Sequence, residues 1–218
     1  TIDYSIYMYA LAVNDFVKNR ILRHHDTATG MHAAAISTSS AILICAALTA
    51  PKLYSGLSFI NPQAMETTYC NPSTKPVFAK CIRAVYNTPV IGSFMYNLKY
   101  NRAAIMDKLS KVSGLEVAQK NELADSMYEA AHTGGYYGRF LLASIHGNLL
   151  NSDIARMLSK LSTPILIVTG SADRQAKKAL PAFDIDKENI SSVILEDISA
   201  PQLECPDKLA RILNSFFN

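Results

Sequence analysis

The sequence predicts an α/β fold, in which a parallel sheet is flanked by helices and carries an inserted helical cap. Three observations support this prediction. Residues 31–50 are typical of a buried strand, a turn rich in hydroxyl groups and an apolar helix. Residues 163–170 form a second β-rich run, entered by Pro164 and left by Gly170. Between these stretches, over residues 77–160, apolar residues recur at helical spacing without strand signals.

The composition is that of an ordinary globular protein. The chain has 218 residues, of which 49% are hydrophobic and 18% are charged, so one domain with an inserted subdomain is expected. The formal net charge of +3 is too small to indicate nucleic acid or an acidic membrane surface, and we expect neither as a partner. The apolar run over residues 41–48 is too short to span a bilayer.

The cysteines and the first residues of the sequence indicate the cellular compartment of the protein. Cys45, Cys70, Cys81 and Cys205 show no Cys-x-x-Cys spacing, which favours free, buried thiols in a reducing compartment. No basic region followed by an apolar stretch opens the sequence, so no signal peptide is visible. These two observations predict a cytoplasmic location.

The chain begins with an amphipathic pattern. Asp3 is a suitable N-cap, and the apolar residues that follow recur at helical spacing over residues 4–22. His24, His25 and Asp26 could suggest a metal site, but adjacent side chains in a loop rarely converge on one ion. We therefore interpret these residues as a solvated link and predict neither a metal nor another cofactor.

The stretch over residues 31–50 contains the first candidate functional residue. Met31 to Ile36 suits a strand buried on both faces, and residues 41–50 suit a helix that ends before Pro51. A hydroxyl at the corner between them, on Ser37, would be exposed beside a helix N-terminus whose N–H groups can hold developing negative charge. The alternative interpretation is that the serines of this turn merely cap the helix.

Here the residues resemble a known family. Ala35-Ile36-Ser37-Thr38-Ser39 resembles the nucleophile elbow of the α/β-hydrolase superfamily, Gly-x-Ser-x-Gly, with alanine and serine in place of the two glycines. Residues 57–62 resemble the next strand of that family. The resemblance implies that Ser37 is the nucleophile and that the N–H of Thr38 supplies one half of the oxyanion hole.

The third predicted strand extends the resemblance. Asp173 follows it in the turn that carries the acid of the catalytic triad in this family, and the order Ser37 before Asp173 agrees with the family's order. An alternative is that Asp173 is a turn residue that caps the next helix. A final strand over residues 190–196 and a closing helix after Pro201-Gln202-Leu203-Glu204 complete the similarity.

The triad histidine is missing from its expected place. In the family it lies in the loop before the Pro-x-Leu-Glu segment, but here residues 197–200 contain no histidine, and none follows His146. Because a serine hydroxyl is a poor nucleophile without a base, this departure is serious. His132, or alternatively His146, could supply the base from the cap, and of these we choose His132.

The resemblance implies a core formed by residues 1–62 and 163–218 and a cap formed by residues 63–162. Family members have further strands before the first helix seen here, and these supply the other half of the oxyanion hole. We therefore expect that a preceding segment completes the sheet and that the 218 residues are not the whole biological unit.

Three functions are compatible with this sequence. The first is a serine hydrolase that acts on a small ester, thioester or amide through Ser37, with an incomplete triad. The second is a catalytically inactive relative that binds a small apolar ligand or a partner protein. A helical interaction module without a pocket is the third, and it leaves the buried strands unexplained.

Overall fold

A computed structural model describes residues 4–24, 30–63, 76–147, 149–150, 152–183 and 187–218. The chain divides into two compact units. We call residues 5–68 and 151–218 the sheet unit, and residues 69–150, to which residues 1–4 also belong, the helical unit. Asp3, His25, Asp26, Cys70 and the side chain of His24 lie outside the described residues.

The sheet unit contains four parallel strands in the order β1-β2-β3-β4. They are β1 Met31–Ile36, β2 Tyr54–Ile60, β3 Ile165–Gly170 and β4 Ile190–Leu195. A parallel sheet of this kind requires a crossover between successive strands, and helices supply it here. This architecture confirms the predicted α/β fold class.

The helices are numbered in chain order: α1 Ile6–Phe16, α2 Ser39–Thr49, α3 Pro76–Asn87, α4 Pro89–Tyr100, α5 Arg102–Ser110, α6 Val117–His132, α7 Gly138–His146, α8 Ile154–Leu158, α9 Arg174–Phe183, α10 Pro201–Glu204 and α11 Pro206–Phe217. The sequence pattern predicted most of them within a few residues. It did not predict α5, whose polar sequence has almost no amphipathic periodicity. The first helix begins after the cap residue Ser5 and continues beyond Phe16 as a π-helical turn over Val17–Ile21.

The two inner strands contain most of the buried core of the sheet. Every residue of β3 is buried, and so is every residue of β2 except Ser55. The prediction that β1 is buried on both faces is wrong, because only Ala35 of this strand is buried and Ile36 is 41% exposed. The reason is topological, since within the described chain β1 is an edge strand that pairs with β2 alone.

The helical unit consists of α3 to α7, and α3 and α4 both pack against α7. The ring of His146 on α7 stacks on Tyr86 of α3, with centroids 5.0 Å apart, and its Nε2 lies 3.3 Å from the Nζ of Lys99 on α4. Burial, reinforced by this neighbouring lysine, lowers the pKa of His146 below its usual value. The imidazole is therefore neutral near pH 7, and its Nε2 accepts a hydrogen bond from the ammonium group of Lys99.

The helix α8, which the sequence placed in the insertion, belongs to the sheet unit and contacts α2 and α9. Of the cysteines in the described chain, Cys45 is buried, Cys205 is half-buried and Cys81 is exposed, and none forms a disulfide. Burial raises the pKa of the Cys45 thiol, which keeps it protonated. No helix among the described residues is both long and apolar enough to cross a bilayer.

Candidate active site

Strained backbone conformations are concentrated at the carboxyl edge of the sheet. Within the described chain, three residues other than glycine have a positive φ: Ser37 at 58°, Asn61 at 43° and Asp197 at 59°. Each follows the end of a strand, β1, β2 and β4 respectively. Asparagine and aspartate tolerate this region comparatively well, whereas serine does not, at a cost of about 1–2 kcal/mol. Strain of this kind is typical of functional sites.

The corner between β1 and α2 fixes the conformation of Ser37. Its N–H donates to the carbonyl oxygen of Ile60 at 2.9 Å, which continues the pairing of β1 with β2. Its own carbonyl oxygen accepts from the N–H groups of Ser40 at 3.2 Å and Gln63 at 3.3 Å. The side chain is half-buried, and its hydroxyl makes no hydrogen bond to any described residue.

Ser39 stabilises this corner from the helix side. Its hydroxyl donates to the carbonyl oxygen of Ile36 at 2.7 Å and accepts from the N–H of the same residue at 3.1 Å. The bulkier residue in place of the second glycine thus closes the turn with hydrogen bonds. Thr38, between the two serines, lies at the N-cap of α2, where the N–H groups of the first turn point away from the helix.

Asp173 lies in the turn between β3 and α9. One carboxylate oxygen, Oδ1, accepts from the N–H groups of Gln175 at 2.8 Å and Ala176 at 3.1 Å, as in a helix N-cap. The other oxygen, Oδ2, accepts from Nδ2 of Asn61 at 3.2 Å. The carboxylate therefore caps the helix with one oxygen and faces the end of β2 with the other.

Asn61 joins three segments at this edge, although it was not among the site residues predicted from the sequence. Its side chain is buried, with 4% of its surface exposed. Besides Asp173, its Nδ2 donates to the carbonyl oxygen of Ser199 at 2.6 Å, and its Oδ1 accepts from the N–H of Gly170 at 2.7 Å. The signal in the sequence was the Asn-Pro pair after a strand, since asparagine tolerates a positive φ and often ends strands.

The loop over residues 197–200 is the segment in which the resemblance places the base. Glu204 holds it through one oxygen, Oε1, which accepts from the N–H of Ser199 at 2.9 Å, from the hydroxyl of Ser199 at 2.6 Å and from the N–H of Ala200 at 2.7 Å. The hydroxyl of Ser199 thus points to Glu204, and its carbonyl points to Asn61. This loop contains no imidazole, and its one carboxylate, that of Asp197, belongs to an exposed residue.

The structure brings Ser37 and Asp173 to the same edge of the sheet. Ser37 follows β1, Asp173 follows β3, and β2 lies between these two strands. Since neighbouring strands are about 4.8 Å apart, the two backbone positions are separated by about 10 Å across the sheet. An imidazole that joined the two side chains would have to lie above the end of β2, where the amide of Asn61 donates to Asp173.

The predicted base, His132, ends α6 in the helical unit. Its Nδ1 lies 2.9 Å from the carbonyl oxygen of Tyr128, which fixes the tautomer with the proton on Nδ1. Its Nε2 is buried, has no partner in the described chain, and lies among the rings of Tyr96, Tyr128 and Tyr136. A free lone pair is what a general base needs, but in this conformation the aromatic rings cover it.

The other described histidines lie elsewhere. His32, near the start of β1, stacks on Phe217 with centroids 4.5 Å apart, so it lies at the opposite end of the strand from Ser37. His146 binds Lys99 within the helical unit. Among the residues that the structure describes, no group of histidine, cysteine and carboxylate side chains is arranged to hold a metal ion.

Comparisons with known proteins are informative at the level of the fold. No protein-family model matches the sequence, and no curated protein matches it significantly. Many solved structures match the chain. The 2-hydroxy-6-oxo-6-phenylhexa-2,4-dienoate hydrolase of Rhodococcus sp. strain RHA1 superimposes with a TM-score of 0.65 at 13% identity, over 100% of this chain and 73% of that one.

Two further structures give the same result. A meta-cleavage product hydrolase from Pseudomonas fluorescens IP01 matches with a TM-score of 0.62 at 16% identity, over 100% of this chain and 73% of that one. An α/β-hydrolase enzyme from a Medee basin deep-sea metagenome library matches with a TM-score of 0.68 at 12% identity, over 99% of this chain and 73% of that one. The chain therefore has the α/β-hydrolase fold, as its strand-turn-helix corner predicted.

Proposed function

We propose that the chain is a serine hydrolase of the α/β-hydrolase type that acts on a small ester, thioester or amide through Ser37. The positive φ of Ser37, 58° at a strand-to-helix corner, is the observation that carries this proposal. An ordinary helix cap has no need of such strain, because a serine caps a helix from the extended region. The hydrolases among the structural neighbours support the reaction class.

In the proposed reaction, the Oγ of Ser37 attacks the carbonyl carbon of the substrate and loses its proton to a base. The carbonyl oxygen gains the negative charge, which the N–H of Thr38 would stabilise at the start of α2. Collapse of this intermediate expels the alcohol, thiol or amine, which takes a proton, and leaves an acyl group on Ser37. Water then releases the acid and restores the serine.

The proposed reaction needs a base that accepts the proton of Ser37. We propose His132, which is supported by its fixed tautomer and its unpartnered Nε2. Its lone pair must be uncovered from the aromatic rings before it can accept a proton. Turnover is therefore expected to be far below that of a complete triad, where loss of the base costs about 10⁴- to 10⁶-fold.

A second candidate function is binding without hydrolysis. It is favoured by the hydrogen bond from Asn61 to Oδ2 of Asp173, because an amide there donates to the carboxylate as an imidazole would but cannot accept the proton of Ser37. In this case the carboxyl edge of the sheet would bind a small apolar ligand or a partner protein and leave it unchanged.

A fluorophosphonate probe tests the first proposal. We expect stoichiometric labelling of the wild-type chain over hours and none of Ser37→Ala, because the probe reacts only with an activated serine. Ser191→Ala is the matched control, since Ser191 is exposed on β4, and it should be labelled like the wild type. Equal labelling of Ser37→Ala would contradict the proposal. No labelling of any variant, together with a thermal shift caused by acyl-chain ligands, would support the binding function instead.

We also propose that a further polypeptide segment pairs with the free edge of β1 and completes the sheet. Within the described chain β1 pairs only with β2, and its exposed residues include Ala34 and Ile36. An open, apolar edge strand of this kind promotes association. We expect the chain alone to self-associate as its concentration rises and Ala34→Lys to suppress this, as measured by light scattering. Equal association of both proteins would contradict a role for this edge.

A further inference from the structure

A cavity of about 190 Å³ lies between α9 and the strands β3 and β4. Its floor is formed by two cross-strand pairs, Ile167 with Ser192 and Thr169 with Ile194. Alternate residues of a strand face the same side of a sheet, so these four side chains stand on the side that α9 covers. We call this space the α9 cavity. It belongs entirely to the sheet unit, and none of its lining residues is part of the candidate active site.

Helix α9 covers the floor of the cavity with its last turns. Leu180 and Phe183 are three residues apart and therefore lie on one side of the helix, where both line the cavity. Phe183 is fully buried, and its ring lies 6.3 Å from the ring of Phe59 on β2, which places an aromatic wall towards the middle of the sheet. At the other side of the cavity, Ser192 is exposed and Ile194 is 53% exposed. Small molecules can therefore reach the cavity from the edge at β4.

Thr169 supplies the cavity with a buried hydrogen-bonding group. The residue is 2% exposed, and its Oγ1 is buried without a hydrogen-bond partner in the described part of the chain. Buried hydroxyls are usually paired, because leaving water without a compensating hydrogen bond costs free energy. Valine has the same shape and would fill this place in a strand without that cost. The unpaired hydroxyl therefore indicates a partner that comes from outside the chain.

The size and the charge of the cavity limit the chemistry of that partner. Its volume exceeds the roughly 150 Å³ of an engineered apolar cavity that binds benzene, so one ring with a small substituent fits. Among the described residues that line it, none carries a charge, and an ion that left water for such walls would stay unpaired. Anionic and cationic ligands are therefore disfavoured.

Water alone fits this cavity less well than an organic molecule does. An ordered buried water needs two to four polar partners, and a cavity of this size would hold several waters. The side chains that line the cavity offer two hydroxyls, those of Thr169 and Ser192, among the apolar groups of isoleucine, leucine and phenylalanine. One polar group next to an apolar ring or chain matches this lining better.

We propose that the α9 cavity binds a small uncharged alcohol or phenol, whose hydroxyl group pairs with Oγ1 of Thr169. A threonine hydroxyl both donates and accepts, so it matches the hydroxyl of the ligand in either direction. The ring or chain of the ligand lies against Ile167, Leu180 and Phe183, where it leaves water. No step of the proposed hydrolysis uses these residues, so this site does not depend on the proposed function.

Nuclear magnetic resonance of the methyl groups tests this proposal on the intact chain, with phenol as the probe. We expect phenol to shift the methyl signals of Ile167, Ile190 and Ile194 together and saturably, because all three residues line the cavity. The dissociation constant should be about 1 mM or below, as is usual for a good ligand of this size. The methyl signals of Ile105, which is buried in the helical unit, should not move and serve as the internal control.

A pair of variants tests the hydrogen bond. Thr169→Val should weaken the binding of phenol about three- to tenfold but should not weaken that of toluene, which has the shape of phenol without the hydroxyl. The variant should remain folded, because it removes an unpaired buried hydroxyl. Ser58→Ala is the matched control, since its Oγ is also buried and unpartnered in the described chain. Ser58 precedes Phe59 on β2 and therefore faces away from α9, so this variant should bind phenol like the wild type.

Three outcomes would overturn the proposal. The first is that phenol causes no saturable shift in the wild type, in which case the cavity holds water only. The second is that Thr169→Val weakens the binding of phenol and of toluene equally, which would show that the hydroxyl makes no specific contact. The third is that Ser58→Ala weakens the binding of phenol as much as Thr169→Val does.

Discussion

Replacing Asn61 by aspartate is expected to destabilise the sheet unit by about 3–5 kcal/mol at neutral pH, comparable to breaking a buried ion pair. The change replaces the donor Nδ2 with a second carboxylate oxygen. That oxygen would face Oδ2 of Asp173 and the carbonyl oxygen of Ser199, which are 3.2 and 2.6 Å from the present nitrogen. Three oxygens would then meet in a buried place without a proton between them.

The pH dependence of this variant identifies the cause. The new carboxyl is buried beside a like charge, so its pKa in the folded state is raised above the unfolded value. Its protonated form is therefore favoured by folding, and the stability deficit of Asn61→Asp should shrink as the pH falls and grow as the pH rises through the folded pKa. Denaturant unfolding at several pH values measures this deficit against the wild type.

Asn61→Gly is the companion variant. Glycine keeps the positive φ without strain but removes every side-chain hydrogen bond of Asn61. It leaves the buried N–H of Gly170 without its acceptor, which costs about 1–3 kcal/mol and adds no charge. The stability deficit of Asn61→Gly should not change with pH as the deficit of Asn61→Asp does. Identical pH profiles for the two variants would show that Asn61 and Asp173 do not interact as described.

Much of this fold follows from local patterns in the sequence. The run Ile165–Gly170 is rich in β-branched residues and follows Pro164, which predicts a strand, and the structure has a strand there whose residues are all buried. The corner at Ser37 was predicted because small residues between a strand and an apolar helix permit a tight turn. These predictions needed only near neighbours in the chain.

The features that the sequence did not predict depend on pairing between residues that are far apart in the chain. The local sequence Met31–Ile36 is as apolar as that of an inner strand, yet its burial depends on what lies beside it, and within the described chain one side has no partner. Asn61 was not predicted as a site residue for a related reason. Its three partners, Gly170, Asp173 and Ser199, are more than a hundred residues away in sequence, so no local pattern could bring them together.

The role of Asp173 can be decided because its two oxygens have different partners. Asp173→Asn keeps an oxygen to accept from Gln175 and Ala176, and asparagine caps helices as well as aspartate does. It places an NH₂ group opposite Nδ2 of Asn61, so one hydrogen bond is lost, at a cost of about 1 kcal/mol. The fold should therefore survive the change with little loss of stability.

Activity should respond far more strongly if Asp173 orients a catalytic imidazole. The amide cannot stabilise an imidazolium, and the analogous change in a serine protease costs about 10⁴-fold in turnover. We expect the rate of fluorophosphonate labelling in Asp173→Asn to fall at least a hundredfold. This expected loss is smaller than the loss in the protease because the rings around His132 already cover its lone pair.

Asp173→Ala separates capping from catalysis. Alanine removes the cap and should destabilise α9 by about 1 kcal/mol, whereas both variants should lose labelling alike if the carboxylate is required for activity. If Asp173→Asn is instead labelled as fast as the wild type while Asp173→Ala only unfolds more easily, the carboxylate is a helix cap alone. Ser37 would then have no acid partner at this edge of the sheet, and the binding function would explain the strained corner better than hydrolysis does.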